Sequence, residues 1–126
     1  MLEENQLSYR IRGAIYQTYK MLGPGLLESS YEAVLMHLLV EDGLFVQKQV
    51  SLPLFFDDVK LEVGYRIDLL VNDKVIIEVK SVESIQDVHH KQLLTYLRLS
   101  EKKLGLLVNF NTTNILKSIH RKVNGL

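Results

Sequence analysis

The sequence has no cysteine. That excludes disulfides, a thiolate zinc site and a cysteine nucleophile, and it suits a reducing cytosol. No apolar run approaches the ~20 residues needed to cross a bilayer. The opening residues, Met1-Leu2-Glu3-Glu4-Asn5, lack the basic-then-apolar order of a signal peptide. A cytoplasmic protein without membrane contact is therefore expected. Net charge is also missing, because 15 Lys and Arg cancel 15 Asp and Glu. The total thus gives no sign of a strongly basic nucleic-acid binder, although a local basic groove depends on where the charges sit. There is no internal repeat, low-complexity tract or linker, and there are only two prolines, Pro24 and Pro53.

What remains is an ordinary globular composition, 47% hydrophobic and 24% charged over 126 residues. One domain, 1–126, is expected. A chain this long buries roughly 65–70% of its unfolded surface, enough for a core without staples. Leu7, Ile11, Ala14, Ile15 and Leu22 recur at helical spacing and predict a helix over 4–22. Gly23-Pro24-Gly25 ends it. Tyr31, Val34, Leu35, Leu38 and Leu39 predict a second helix over 28–42, capped by Gly43.

Residues 45–56 read as a strand whose far end lies at an edge or bend because of Pro53. Residues 59–71 read as extended, with a kink at Gly64, and 75–80 as another strand. A helix over 88–100 leads into an apolar strand over 104–110, which could make a parallel crossover with strand 75–80. The tail, 115–123, fits a strand better than a helix. The order is ααβββαββ, an α/β sheet flanked by helices.

The hairpin around Asn72-Asp73 carries the chemistry. A one-residue slip exchanges the two faces of a strand. With a two-residue turn, charged and apolar side chains would mix on both faces. With a three-residue loop, Asn72-Asp73-Lys74, Asp68 opposes Glu78 and Arg66 opposes Lys80. One face then holds Tyr65, Ile67, Leu69, Val71, Val75, Ile77 and Val79. The other holds Arg66, Asp68, Leu70, Ile76, Glu78 and Lys80. Burial selects this register, since each misplaced side chain would cost roughly 1–3 kcal/mol.

Directly opposed residues have Cβ atoms ~5 Å apart. Two carboxylates that close repel unless a proton or cation lies between them. Mg²⁺ or Mn²⁺ is the usual cation for such oxygen ligands. The alternative is a solvated ladder of Arg66, Asp68, Glu78 and Lys80 on an exposed face. Leu70 and Ile76 on that same face imply partial cover and weigh against it.

Asp68 followed by Glu78-Val79-Lys80 resembles the D…ExK signature of the PD-(D/E)XK nuclease superfamily. Leu22-Gly23-Pro24-Gly25-Leu26-Leu27-Glu28-Ser29-Ser30-Tyr31 resembles the motif of the bacterial GxxExxY family within it. Tyr65–Val71, Val75–Lys80, His89, Gln92–Leu97 and Gly105–Phe110 are similar to that family's core strands, third helix and following strand.

The resemblance implies a PD-(D/E)XK nuclease-like (restriction-endonuclease-like) core and phosphodiester hydrolysis of DNA or RNA with Mg²⁺ or Mn²⁺. It implies Asp68, Glu78, the Val79 carbonyl and Glu28 at the metal. Lys80 would orient or activate water, and Gln92 would hold water, Lys80 or substrate. Two positions depart from the family: Tyr19 stands where a His is frequent, and Ser118 near a frequent Gly. Neither touches the metal set.

Bland readings stand beside these. Glu28 in a helix's first turn is favoured by the dipole by ~0.3–1 kcal/mol. Tyr31 suits a core position with a bonded hydroxyl. Of His89 and His90, adjacent on a helix, at most one should reach a cleft. Arg66, His89 and Arg121 are candidate substrate contacts, and Lys91, Arg98, Lys117 and Lys122 could also meet phosphates. The neutral charge and small size leave a second class open: a nucleic-acid-binding or assembly module that keeps the fold without cutting. Such a chain has little room beyond the core for a target-recognition element, which a homodimer or a partner could supply.

Overall fold

A computed structural model describes residues 2–126. Helix α1, Glu4–Leu22, begins in a capping box in which the Glu3 amide donates to Gln6 Oε1 at 2.8 Å. It ends where Gly23 takes a φ of 69°, a conformation that suits glycine. Helix α2, Glu28–Glu41, buries Tyr31, Leu35 and Leu39, one per turn.

The strands divide more finely than alternation predicts. The stretch 45–56 becomes β1 (Val46–Ser51) and β2 (Leu54–Phe56), broken at Pro53. The stretch 59–71 becomes β3 (Val59–Leu61) and β4 (Arg66–Val71), broken around Gly64 at φ 83°. β2 and β3 pair only with each other as a small hairpin. Then come β5 (Val75–Lys80), α3 (Asp87–Ser100) and β6 (Leu104–Asn109). The tail opens with a 3-10 turn, Ile115–Ser118, before β7, Ile119–Val123, so it is strand only in its second half.

The five-stranded sheet runs β1-β4-β5-β6-β7. It is antiparallel except at β5–β6, which are parallel and joined through α3. This is the mixed α/β architecture expected. Leu69, Val71, Val75, Ile77 and Val79 pack with α1 and α2 through Ile11, Ile15, Tyr31 and Leu35. Leu70, Ile76 and Leu107 pack beneath α3 through Leu93, Tyr96 and Leu97. Each such large side chain contributes roughly 1.5–3 kcal/mol by leaving water. Gly105 lets α3 approach, since a Cβ there would lie 2.7 Å from Leu93 Cδ1.

Tyr31 is a core residue. Its ring stacks on Phe110 with centroids 4.3 Å apart. Its hydroxyl donates to the Gly23 carbonyl at 2.6 Å and accepts from the Leu26 amide at 3.1 Å, pinning the loop that leads into α2.

Two residues fall on the unexpected face. Alternation assigns Tyr65 and Ile67 to the side of α1 and α2. Ile67 instead joins Leu52, Leu70 and Ile76 under α3, and the Tyr65 ring lies 5.9 Å from that of Tyr96. Alternation holds only while a strand stays paired. Between Ile67 and Leu69 the ladders on both sides of β4 are interrupted, and the strand turns over there.

Candidate active site

The site lies at that interruption. β4 and β5 pair as Val71↔Val75, Leu70↔Ile76 and Leu69↔Ile77, the register of the three-residue loop. One step further, Asp68 stands across from Glu78, but backbone pairing stops. Carboxylates take its place. The Asp68 amide donates to Glu78 Oε2 at 2.9 Å, and the Val79 amide donates to Asp68 Oδ2 at 2.9 Å. Each acid thus caps the opposite strand, which satisfies amides that the parted strands would leave unpaired.

On the other side of β4 the pairing Lys48↔Leu69 resumes only at Val50↔Ile67. The skipped residue, Gln49, has a φ of 49°. Its side-chain amide donates to Glu32 Oε1 at 2.9 Å and lies 3.5 Å from Asp68 Oδ1.

Glu78 is 3% exposed. Burial, and then the Asp68 charge, push its carboxyl up to about 8. Asp68 is raised as well, chiefly by burial, with the Val79 amide and the Lys80 ammonium opposing the rise. Glu32 is raised by burial first and by Asp68 second. Lys80 lowers all three and forms no ion pair within 4 Å among the described residues. Tyr96 backs the site from α3, its hydroxyl raised by burial and then by Glu78.

Glu28 reaches the same end of β5, where its Oε2 accepts the Ser81 amide at 3.0 Å. Ser81 Oγ in turn donates to the Leu26 carbonyl at 2.6 Å, tying the head of α2 to the residue after Lys80. Buried Asn109, paired with Lys80 across the β5–β6 ladder, accepts the Val82 amide at 3.1 Å and donates to the Val82 carbonyl at 3.0 Å. The turn after Lys80 is thereby fastened from both sides.

Asp68, Glu78, Lys80 and Glu28 come together at this end of β5, and the Val79 amide joins them through Asp68. Gln92 is half-buried on α3, one turn before Tyr96, and makes no side-chain hydrogen bond to the acids among the described residues. Arg66 is exposed on β4 beside Asp68.

His89 Nδ1 accepts the Gln86 amide at 2.9 Å at the start of α3. Arg121 lies on edge strand β7 and donates to Asn5 Oδ1 of α1 at 2.6 Å. His90 sits edge-on to His120 with centroids 5.0 Å apart. Sequence reasoning missed Glu32 and Gln49. Glu32 carried a signal, since it lies four residues after Glu28 and shares its helix face. Gln49 carried none, because its role depends on a left-handed backbone.

Among the described residues, no group of three or more His, Cys, Asp or Glu could close on a metal ion. No described helix is long and apolar enough to cross a membrane. No curated protein and no solved structure matches the chain at a significant level. A family profile described as the PD-(D/E)XK nuclease superfamily matches residues 5–122. That span includes both parted strands and the helices on either side of them, and the chain belongs to the PD-(D/E)XK nuclease superfamily.

Proposed function

We propose that the protein is a divalent-metal-dependent nuclease that hydrolyses phosphodiester bonds of DNA or RNA, with its chemistry at Asp68, Glu78 and Lys80. The observation that carries this reading is the crossed pair of carboxylates where β4 and β5 part. Glu78 is held almost out of water with its carboxyl at about 8, beside a second, half-buried acid, Asp68. Such a pair is poorly suited to a bare, metal-free state at neutral pH and well suited to a cation.

The donor set fits Mg²⁺ or Mn²⁺. Mg²⁺ is commonly held by one or two carboxylates, with water and substrate phosphate filling the remaining positions. Two acids therefore suffice without a three-residue cluster. Asp68 and Glu78 would hold the ion, with the Val79 carbonyl and Glu28 as the further ligands that family membership suggests. A cation there supplies charge neutralisation at the phosphate and a more acidic water.

The protein's own groups do the rest. Lys80, two residues beyond Glu78, brings an unpaired ammonium to the reacting phosphate and orients the attacking water. Asn109, Ser81 and Glu28 hold the end of β5 so that Lys80 is presented in one place. Gln92 and Tyr96 wall the site from α3. Within the superfamily we assign the chain to the GxxExxY group. Support comes from the loop and first turn of α2, where Glu28 anchors Ser81 and Tyr31 anchors Gly23.

A cleavage assay with Mg²⁺ or Mn²⁺ on single- and double-stranded DNA and RNA tests this, run beside Asp68→Ala and Lys80→Ala. The expected result is cutting by the wild type and loss of at least ~100-fold in each variant. Equal cutting by all three proteins would remove the assignment. The balance of 15 basic and 15 acidic residues in a chain of 126 favours one competing reading, a binding or assembly module that retains the fold. Wild-type protein that binds nucleic acid but never cuts it under these conditions would be that module.

A further inference from the structure

We propose that the cleft between the outer face of α2 and edge strand β1 binds the nucleoside adjacent to the scissile phosphate. The proposal rests on the nuclease reading and extends it to the form of substrate taken. The cavity has a volume of about 530 Å³, within the ~300–1,000 Å³ span of small-ligand sites. On one side it is lined by Ser29, Ala33, Met36 and Val40, a single stripe of α2 at three- and four-residue spacing. Across from them Leu69 closes the floor and Lys48 stands at the rim.

Two residues belong both to this cleft and to the catalytic end: Glu32 and Gln49 line it, and Gln49 bridges Glu32 to Asp68. The cleft therefore opens directly beside the acid that would hold the metal.

The chemistry of the walls selects the occupant. A nucleobase offers two apolar faces and a polar edge, and it is joined to an anion on each side. Ala33, Met36 and Val40 give the apolar surface. Ser29 and the Gln49 backbone region give polar contacts at the edge. Exposed Lys48, which forms no ion pair among the described residues, can meet the neighbouring phosphate. A second protein chain laid here would have to bring its backbone against Glu32 and Asp68 with no cation to offset them. A nucleotide arrives with its own phosphate at the metal. A base still stacked in a duplex keeps both its faces covered, so the substrate must be single-stranded, frayed or flipped at that position for the base to enter the cleft.

The test is fluorescence anisotropy of labelled 12-mers in Mn²⁺ with all proteins on a Lys80→Ala background, so that the metal is present while cutting is slowed. It compares an intact single strand, a set with one abasic site stepped along it, and the matching duplex. Ala33→Phe, at an exposed helix position, fills the cleft without touching either core. Base burial is worth ~1–3 kcal/mol, so one abasic position should weaken binding about tenfold. The duplex should bind more weakly than the single strand. Ala33→Phe should bring the intact strand down to the level of the abasic one, with no further loss on combining the two. An oligonucleotide that binds equally well with every abasic position and with Ala33→Phe would overturn the cleft assignment and leave the nuclease reading standing. No binding of any form, together with no cutting by the wild type in Mn²⁺, would remove the nuclease reading and this proposal with it.

Discussion

β5 has two edges, and they behave differently. Against β6 it pairs along its whole length, from Val75↔Leu104 to Lys80↔Asn109. Against β4 it pairs for three residues, after which backbone gives way to carboxylate. The closed edge has apolar neighbours almost throughout, packed on both faces, and a glycine that lets α3 sit close. The open edge has one buried and one half-buried acid, Glu78 and Asp68, as partners for the amides. Stability is concentrated where the ladder continues, and the reactive groups gather where it stops. The sheet thus spends its hydrogen-bonding regularity at one place, and that place is the candidate active site.

Substitutions at the two edges should therefore separate activity from stability. The largest effect is expected at the open edge. Asp68→Ala should cut cleavage by about 10²–10³ or more, while thermal unfolding in chelator shows no comparable loss, because a charge that repels Glu78 has gone. A variant that unfolds and loses activity together would show that Asp68 is structural first.

The second effect is a pH dependence at the same edge. Glu78 titrates at about 8 when folded, against roughly 4.3 in an unfolded chain. Between those values the folded state holds a proton that the unfolded state has lost, so stability falls as pH rises. The contribution is whole below about pH 4.3 and is lost once pH passes about 8. Glu78→Gln keeps the side-chain size without the charge. In chelator its melting temperature should exceed the wild type's increasingly from pH 5 to pH 9. A difference that stays constant across that range would contradict the assignment of burial to Glu78.

The closed edge should show the reverse. Gly105→Ala places a Cβ 2.7 Å from Leu93 Cδ1. Overpacking of this kind costs about 1–3 kcal/mol, to be read from denaturant midpoints, with the cleavage rate of the folded fraction unchanged. The smallest effect is expected away from both edges. Lys91 pairs with Asp87 at 3.1 Å on the exposed face of α3. Lys91→Ala should alter neither stability nor cleavage measurably.

The same contrast explains which features the sequence made legible. The register of β4 on β5 could be read because both strands are buried and a slip would expose a whole apolar face. Helices α1, α2 and α3 were legible from apolar spacing, and the first two also from their Gly-Pro-Gly and glycine stops. Glu28 at the site was suggested by a local motif.

What escaped prediction lies where pairing ends. Ile67 and Tyr65 changed faces because alternation fails across the break at Asp68. Gln49 reaches Glu32 because its backbone is left-handed, which nothing in a glutamine announces. The hairpin of β2 and β3 separated from the sheet because Pro53 and Gly64 interrupt both long strands. The capping bond of His89 Nδ1 to the Gln86 amide was not foreseen either, although a side chain at the third helical position can fold back on the cap residue. Arg121 found Asn5, 116 residues away in sequence, a contact only tertiary packing can bring about.

The central claim is that Asp68 and Glu78 form a divalent-cation site. Titration calorimetry with Mn²⁺ on the wild type and on Glu78→Ala at pH 7.5 tests it most directly. The account predicts saturable binding by the wild type, with release of a proton, and its loss in the variant. Wild-type protein that binds no Mn²⁺, or a variant that binds it equally well, would contradict it.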